Sequence, residues 1–525
     1  MQTKTISTPC GNVIGEITPY GLRFRGIKYA TAGRFEMPAE VRSFDGDFDA
    51  TKQGVCCPQM RAFWNEEHRF YYQEFRKGKE FTYSEDCLIL DVHAPDNAKN
   101  CPVIVFIHGG SFTGGSINEM QFNGSAYTKR GVIFIAINYR LNVFGFFADK
   151  EHCRGNLGLY DQYTAIEWIR HNVSAFGGDP DNITLMGQSA GAMSIQTLIC
   201  SNYLKGKVKG AIMLSGGGKR TAILPLSKPN ARYWKKLVKA SGASSFDEFK
   251  TLPVEQVWTA WKTKHTLGKA LCTKPVIDNE LVKNAKYDTD VPIIFGTVKK
   301  DLLPPVLNHM ARTFARKQKR KNAPCYVFSL TRQLPPDNAS FHSCDLWYAL
   351  GSLGDSLRPF TQADYDLSDE MVDRFSAFAK SQNPNADGKP QWNVYSSKSD
   401  IKVFKLIKIC ISSANAHRAS QTALLTKQTH FICLFVLCLF VPYPHGYKVS
   451  RGGPGYCTFD QSFYAKNEID CFTIAYSSPR KYKSNLWDFF ASVCKQPPNA
   501  NRSVGFSPIN CPIQQKQHII LMRFF

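Results

Sequence analysis

The feature that most limits the fold of this 525-residue chain is a series of short apolar runs separated by helical patterns. The clearest helical pattern covers Tyr160–Val173, where the apolar residues fall on one face. Runs of this length, rich in β-branched residues, indicate buried strands at Val103–Ile107, Val132–Ile137, Ile183–Met186, Gly210–Leu214, Val291–Phe295 and Tyr326–Leu330. Strands that alternate with helices predict an α/β fold with a doubly wound, mostly parallel central sheet flanked by helices.

Polar loops follow four of these predicted strands. The first is followed by His108-Gly109-Gly110-Ser111-Phe112 and the third by Gly187-Gln188-Ser189-Ala190-Gly191. The loops after the last two carry Asp301 and His342. Ligand sites of parallel sheets gather at the carboxyl ends of the strands, so we expect the chemistry at this edge.

Ser189 is the candidate nucleophile. It is the serine of a GxSxG pattern that lies between a predicted strand and a predicted helix at Ala192–Leu198. That placement is typical of a nucleophile elbow, a tight turn that exposes the serine hydroxyl above the sheet. An ordinary glycine-rich turn is the alternative.

Two glycines after the first strand are candidates for an oxyanion hole. Without side chains, Gly109 and Gly110 let their backbone N–H groups approach a negatively charged tetrahedral intermediate, and the N–H of Ala190 would complete the set. A glycine turn without function is the alternative. We interpret His108 as structural.

The general base must be a histidine that folding brings near the serine. His342 follows a strand late in the chain, whereas His309 lies in a basic helical stretch that is more typical of a surface. Asp301 gives the order Ser, Asp, His along the chain. Asp278 and Asp345 remain alternatives for the acid.

Many blocks of this chain match one known family. They include Phe24-Arg25-Gly26-Ile27-Lys28-Tyr29-Ala30, Arg34-Phe35, Cys57-Pro58-Gln59, Glu85-Asp86-Cys87-Leu88, Asn138-Tyr139-Arg140-Leu141, Gly155–Gln162 and Phe176–Gly191. From about Thr8 to Tyr395 the chain resembles the type-B carboxylesterases, which include the cholinesterases and the bacterial para-nitrobenzyl esterases; its spacing is similar to the compact bacterial branch. The resemblance implies an α/β-hydrolase fold and carboxylic-ester hydrolysis. It also implies a triad of Ser189, Asp301 and His342 and an oxyanion hole of Gly109, Gly110 and Ala190.

The chain departs from the family in two ways: in the residue type of the acid, and in the expected redox state of two cysteines. The family usually has Glu where this chain has Asp301, and the usual following Gly is missing. Cys57 and Cys87 match a disulfide of secreted members. Because the N-terminal residues show no signal-peptide pattern, we expect a cytoplasmic protein in which both cysteines are reduced.

The net charge of +22 raises the question of nucleic-acid binding. Half of the excess lies beyond residue 400, and no nucleic-acid-binding module accompanies the basic runs, so we expect no nucleic-acid partner. The scattered cysteines form no zinc-ligand pattern. We expect neither a metal nor an organic cofactor.

These patterns divide the chain into a hydrolase domain at residues 1–405 and a basic extension at 406–525, to which we assign no function. The extension has seven cysteines and an apolar run at Phe431–Val441, which is too short to span a membrane as a helix. We interpret this run as a segment that is either buried or in contact with a membrane surface, and we do not expect a membrane partner.

The sequence therefore predicts a serine carboxylesterase that hydrolyses a small-molecule ester with water, through an acyl-enzyme intermediate. By position alone, Phe112, Trp347 and Tyr348 are candidate pocket residues. Two alternatives are a catalytically silent binding protein of the cholinesterase-like type and a membrane-associated lipase. The sequence indicates neither the preferred ester nor the oligomeric state.

Overall fold

The computed structural model describes residues 1–149, 151–218, 231–264, 274–282, 289–301, 304–319 and 322–406, and the backbone of four short strands beyond them. Phe431–Val441 lies outside the described residues.

The helices and strands alternate along the chain. The strands are β1 (Thr3–Thr8), β2 (Gly11–Thr18), β3 (Gly21–Lys28), β4 (Ala30–Thr31), β5 (Ala39–Glu40), β6 (Phe48–Asp49), β7 (Ile89–Ala94), β8 (Cys101–Ile107), β9 (Ile133–Ile137), β10 (Gly178–Gln188), β11 (Gly210–Leu214), β12 (Ile293–Val298), β13 (Cys325–Leu330), β14 (Lys402–Phe404), β15 (Ser450–Gly452), β16 (Tyr456–Thr458), β17 (Thr473–Tyr476) and β18 (Ile520–Arg523). The α-helices are α1 (Met60–Phe63), α2 (Phe70–Phe75), α3 (Ser125–Thr128), α4 (Asn142–Phe146), α5 (Leu157–Asn172), α6 (Ala190–Ile199), α7 (Ala231–Ala240), α8 (Phe246–Thr251), α9 (Val254–Lys264), α10 (Pro304–Lys319), α11 (Asp345–Leu350) and α12 (Gln362–Ser381). Short 3₁₀ helices cover Val173–Phe176, Asn202–Leu204, Leu353–Asp355 and Lys398–Asp400.

One large sheet organises the structure, with the strand order β1-β2-β3-β7-β9-β8-β10-β11-β12-β13-β14 and β6 paired with β2. The strands from β9 to β14 in this order pair in parallel, and β1, β2, β3 and β7 form an antiparallel edge. The carboxyl ends of β8, β10, β12 and β13 therefore lie at one edge of the sheet. This arrangement confirms the predicted doubly wound, mostly parallel sheet.

Both faces of the parallel strands are buried. Along β8, Val103, Val105 and Ile107 pack into one hydrophobic cluster, and Ile104 and Phe106 pack into a second. Side chains of a strand alternate between the two faces of the sheet. A strand that is covered on both faces therefore has a continuous apolar run in its sequence. That is why the sequence revealed these strands so clearly.

A third hydrophobic cluster joins α4 with α7, α8 and α9. Trp234, Leu237, Phe249 and Trp258 are buried in it. None of the helices among the described residues is both long and apolar enough to span a membrane.

The chain divides into two compact units, Met1–Lys408 and Ile409–Phe525. This boundary is close to the division that the sequence predicts after residue 405. In the second unit, β15 pairs with β16 and β17 pairs with β18, each as an antiparallel two-stranded ladder.

Candidate active site

Ser189 lies on a sharp turn between β10 and α6. Its backbone has φ 55° and ψ −119°, a conformation that residues with side chains rarely adopt. Its N–H donates to the carbonyl of Leu214 on the neighbouring strand at 2.8 Å, and this bond fixes the turn against β11. Strain of this kind persists when the surrounding structure holds it, and it is characteristic of a nucleophile elbow.

Two glycines allow the elbow to pack closely on its neighbours. A Cβ on Gly191 would lie 2.0 Å from the carbonyl oxygen of Ile107 at the end of β8. A Cβ on Gly216 would lie 2.2 Å from the carbonyl oxygen of Ser189. The second glycine of the GxSxG pattern is therefore required because α6 begins in contact with β8.

The loop after β8 lies beside the elbow. A Cβ on Gly109 would lie 3.1 Å from Cβ of Ser189. No described residue accepts a hydrogen bond from the N–H groups of Gly109 and Gly110. The N–H of Ala190 precedes the hydrogen-bond ladder of α6, since Ala190 is the first residue of that helix. The structure thus brings together the three residues that were predicted to form an oxyanion hole.

His108 packs against this loop and contacts its backbone. Its ring stacks on Tyr139 with centroids 4.5 Å apart, and Nδ1 lies 2.9 Å from the carbonyl oxygen of Gly109. Burial lowers the pKa of His108 to about 4, so the ring is neutral near pH 7. This placement agrees with a structural role for His108.

His342 contacts Asp301, as predicted. Nδ1 of His342 donates to Oδ1 of Asp301 at 2.5 Å. The other carboxylate oxygen, Oδ2, accepts the N–H of Val298 at 3.2 Å. The side chain of Asp301 has no exposed surface, whereas 18% of the His342 side chain is exposed. A buried carboxylate therefore orients a ring whose other nitrogen remains available.

That other nitrogen faces Gln188, a contact that the sequence does not reveal. The side-chain amide of Gln188 donates from Nε2 to Nε2 of His342 at 3.2 Å. With Nδ1–H donating to Asp301, the ring is in the tautomer that carries a lone pair on Nε2. No described hydrogen bond joins His342 to the Ser189 hydroxyl.

One alternative acid, Asp278, and the alternative base, His309, make their contacts with other residues. Asp278 accepts from the Asn156 side chain at 2.8 Å and from Tyr160, and it makes no contact with His342. His309 lies on α10, 3.4 Å from the hydroxyl of Thr313.

Asp345 is buried close to the Asp301–His342 pair. Burial, and then the charge of Asp301, raise the pKa of Asp345 to about 7 against the effect of His342. The hydroxyl of Ser215 donates to Asp345 Oδ2 at 3.4 Å, and Oδ1 has no hydrogen-bond partner among the described residues. Asp345 therefore supplies a second carboxyl group near the Asp301–His342 pair, with no described hydrogen bond to the ring.

The three candidate pocket residues are core residues in this structure. Trp347 has no exposed surface and donates from Nε1 to Glu74 at 2.8 Å. Tyr348 is equally buried and donates to Asp364 at 2.7 Å. Phe112 is 1% exposed and packs on Phe146. All three side chains are almost completely buried in this structure. Their contact with a substrate remains a prediction.

Cys57 and Cys87 are buried, free thiols in this structure. They are in hydrogen-bond contact, and this contact together with burial raises the pKa of Cys87. Their proximity fits the resemblance, and their oxidation state remains a prediction. Among the described residues, no group of three or more His, Cys, Asp or Glu side chains could hold a metal ion.

Comparison with known proteins settles the family. The protein-family model that is described as "Carboxylesterase family" matches residues 2–312 and 305–409 of this chain. This chain belongs to the carboxylesterase family. A curated relative, the para-nitrobenzyl esterase of Bacillus subtilis, is 29% identical over 469 residues, which cover 75% of this chain and 93% of the relative.

Solved structures show the same likeness. A para-nitrobenzyl esterase structure superposes with a TM-score of 0.65 at 26% identity, covering 74% of this chain and 93% of that one. A carboxylesterase of Geobacillus stearothermophilus gives 0.64 at 25% identity, covering 77% and 96%. The predicted type-B resemblance and α/β-hydrolase fold are thus confirmed, and this carboxylesterase-family member is a carboxylic-ester hydrolase.

Proposed function

We propose that this protein is a serine carboxylesterase in which Ser189 attacks the ester, His342 moves the protons and Asp301 orients His342. The observation that carries the proposal is the 2.5 Å hydrogen bond from His342 to Asp301, next to an elbow that holds Ser189 in a strained conformation. A carboxylate, an imidazole and a serine in this order form the general apparatus of nucleophilic acyl transfer.

In the first half of the reaction, Nε2 of His342 accepts the proton of the Ser189 hydroxyl as Oγ bonds to the ester carbonyl carbon. The carbonyl oxygen becomes negatively charged, and the N–H groups of Gly109, Gly110 and Ala190 donate to it. The protonated His342 then gives its proton to the leaving alcohol as the ester C–O bond breaks. The product is an acyl-enzyme on Ser189.

In the second half, a water molecule takes the place of the alcohol. His342 accepts one of its protons while the water oxygen bonds to the acyl carbon, and the same three N–H groups stabilise the oxyanion. His342 then returns the proton to Oγ of Ser189, and the carboxylic acid leaves. Because the negative charge of Asp301 faces Nδ1–H, it stabilises the imidazolium that forms in both halves.

Substitution of the nucleophile tests this proposal. Ser189→Ala should lower the turnover of para-nitrophenyl acetate by about 10⁶-fold, as in other serine hydrolases that lose a triad residue. The variant should also lose covalent labelling by a fluorophosphonate probe, which the wild-type protein should carry on Ser189. Rates and mass spectrometry of the labelled peptide provide the two measurements.

Ser194→Ala is a matched control, since Ser194 lies on the helix that follows Ser189, is fully buried and accepts a hydrogen bond from Gln162 with no described hydrogen bond to His342. It should retain turnover and labelling. Near-normal hydrolysis by Ser189→Ala would contradict the assignment. A wild-type protein without hydrolysis and without labelling would favour the silent binding protein, and a strong preference for emulsified long-chain esters would favour the lipase.

A further inference from the structure

Lys274 is a buried cation without a described acidic partner. Only 6% of the residue is exposed, and no ion pair joins it to any Asp or Glu among the described residues. Burial lowers the pKa of Lys274 to about 8, and no charged group among the described residues offsets that effect. Burial of a charged ammonium without an acidic partner costs free energy. The contacts of Lys274 should therefore show what compensates for that cost.

Those contacts are with the loop that carries the oxyanion glycines. Nζ of Lys274 donates to the carbonyl oxygen of Ser111 at 2.6 Å. The same ammonium lies 5.2 Å from the centroid of the Phe112 ring, within the range of a cation–π interaction. Ser111 and Phe112 directly follow Gly109 and Gly110, so Lys274 touches the loop next to its N–H donors.

This part of the loop has an unfavourable backbone. Gly110, Ser111 and Phe112 have φ values of 104°, 58° and 63°. Glycine tolerates a positive φ, but a serine and a phenylalanine in succession do not, and each costs on the order of 1–3 kcal/mol. Other contacts must therefore hold the turn in place.

The turn is held at three points. The carbonyl oxygen of Gly110 accepts the N–H of Thr113 at 3.0 Å, and that of Phe112 accepts the N–H of Asn142 at 2.7 Å. The carbonyl of Ser111 lies between these two, and Lys274 is its sole donor among the described residues. Removal of the ammonium would leave the Ser111 carbonyl without a donor in the part of the chain that the structure describes.

We propose that Lys274 is a positioning residue of the oxyanion hole: by holding the Ser111 carbonyl and the Phe112 ring, it keeps the N–H groups of Gly109 and Gly110 aimed at the reacting carbonyl. This inference rests on the proposed esterase mechanism and adds a residue to it. An apolar side chain of equal length would fill the same space without a desolvation cost, but it could neither donate to the carbonyl nor attract the ring face.

The test separates positioning from binding. In Lys274→Met, kcat for para-nitrophenyl acetate should fall about 10- to 100-fold, less than the 10²–10³ typical of losing an oxyanion donor outright. KM should change by less than about threefold, because the loop stabilises the transition state and not the bound ester. Inhibition by a trifluoromethyl ketone, which adds Ser189 Oγ to its carbonyl and places the resulting oxyanion in the hole, should weaken by the same factor as kcat.

Two further variants serve as controls. Lys274→Arg keeps a charged donor and should recover most of the lost kcat. Lys207→Met removes another part-buried lysine, which pairs with Glu167 at 2.9 Å and precedes β11 at the opposite edge of the sheet. Lys207→Met should lose some stability but keep the wild-type kcat and the wild-type inhibition constant.

The pH dependence gives a second measurement on the intact protein. Because no titratable group among the described residues faces Lys274, its charge should be lost as the pH rises through about 8. Wild-type kcat should therefore fall between about pH 7 and pH 9, with its midpoint near pH 8, whereas that of Lys274→Arg should not, since a guanidinium stays charged there. This comparison also decides the matter if Lys274→Met does not fold.

A folded Lys274→Met with wild-type kcat and wild-type inhibition would overturn the proposal, as would an unchanged alkaline fall in Lys274→Arg. Failure of the esterase mechanism itself is distinguishable, because the wild-type protein would then show neither hydrolysis nor labelling of Ser189, and the positioning role would fall with it.

Discussion

The length of one side chain matters at Asp301, the acid of the proposed triad. Asp301 reaches one methylene less far than the Glu that its family usually has, yet its Oδ1 lies 2.5 Å from Nδ1 of His342. The short distance along the chain explains this. Asp301 comes soon after β12 ends at Val298, and Oδ2 is held by the Val298 N–H. An aspartate at this position therefore reaches His342.

This fit predicts that the family's usual residue is worse than Asp here. Asp301→Glu should lower kcat/KM by about 10- to 100-fold, because an added methylene displaces the ring, and misplacement by about 1 Å can cost 10²-fold. Asp301→Asn should cost about 10⁴-fold, since the amide no longer stabilises the imidazolium or the required tautomer. Steady-state rates of ester hydrolysis measure both effects.

Asp278→Asn is the matched control, since Asp278 is bound to Asn156 and has no contact with the base. It should change stability more than kcat/KM. Wild-type activity in Asp301→Glu would show that the loop tolerates either length, and wild-type activity in Asp301→Asn would remove Asp301 from the mechanism.

At the residue scale, only some residues of the candidate site could be predicted from the sequence. Ser189, Asp301 and His342 could be proposed because each one follows a strand, and parallel strands present such residues at a common edge. The contacts that Gln188 and Lys274 make could not be proposed from the sequence. Lys274 meets Ser111 across 163 positions of the chain, and no motif or spacing marks an approach that tertiary packing alone creates.

At the scale of secondary-structure elements, the junction of β8, β10 and α6 determines the geometry of the site. α6 begins directly after Ser189, the proposed nucleophile, and Gly191 in its first turn lies against the end of β8. In a helix, replacement of Gly by Ala ordinarily stabilises by about 1 kcal/mol. Here the added Cβ would lie 2.0 Å from the carbonyl oxygen of Ile107, so close packing should outweigh helix propensity.

Gly191→Ala should therefore destabilise the protein by about 1–3 kcal/mol, the usual cost of overpacking. It should also lower kcat by at least about 100-fold, because α6 cannot move from β8 without moving the Ala190 N–H and the Ser189 hydroxyl. Urea unfolding and ester hydrolysis give the two numbers.

Gly354→Ala is the control for that change, since the nearest atom to its added Cβ is the Tyr365 hydroxyl at 3.9 Å. It should leave stability within about 0.5 kcal/mol and kcat unchanged, as surface substitutions usually do. If Gly191→Ala behaved in the same way, the contact between α6 and β8 would not constrain the site.

Elements of the parallel block were predictable, and the antiparallel edge was not. Gly210–Leu214 was predicted with the observed bounds, because a strand buried on both faces is a continuous apolar run. β12 begins at Ile293 instead of Val291, since Pro292 has no N–H to donate to a neighbouring strand. β1 is largely exposed and polar, so it offers no apolar run, and its pairing with β2 creates it.

At the scale of the whole molecule, the family match and the sheet end near the same point. The family match extends to residue 409, and β14 (Lys402–Phe404) is the last strand of the large sheet. Phe404 is fully buried against Phe328 and Trp392, with ring centroids 5.4 and 6.0 Å away. The hydrolase unit should therefore require β14 but not the sequence beyond Lys408.

Two truncations test this division. A chain that ends at Lys408 should fold with the unfolding midpoint of the full protein and hydrolyse para-nitrophenyl acetate with kcat/KM within about twofold. A chain that ends at Ser397 lacks eleven further residues, 398–408, which include all of β14 and the buried Phe404. Deleting a buried phenylalanine side chain costs about 3–5 kcal/mol, a large part of the stability of a typical domain.

The shorter chain should therefore unfold at a much lower urea concentration, whereas the longer one should not. If the Lys408 truncation lost activity while remaining folded, residues 409–525 would contribute to the reaction, and the basic extension would have to be counted as part of the enzyme. If both truncations were equally stable, β14 would not belong to the core that this sheet encloses.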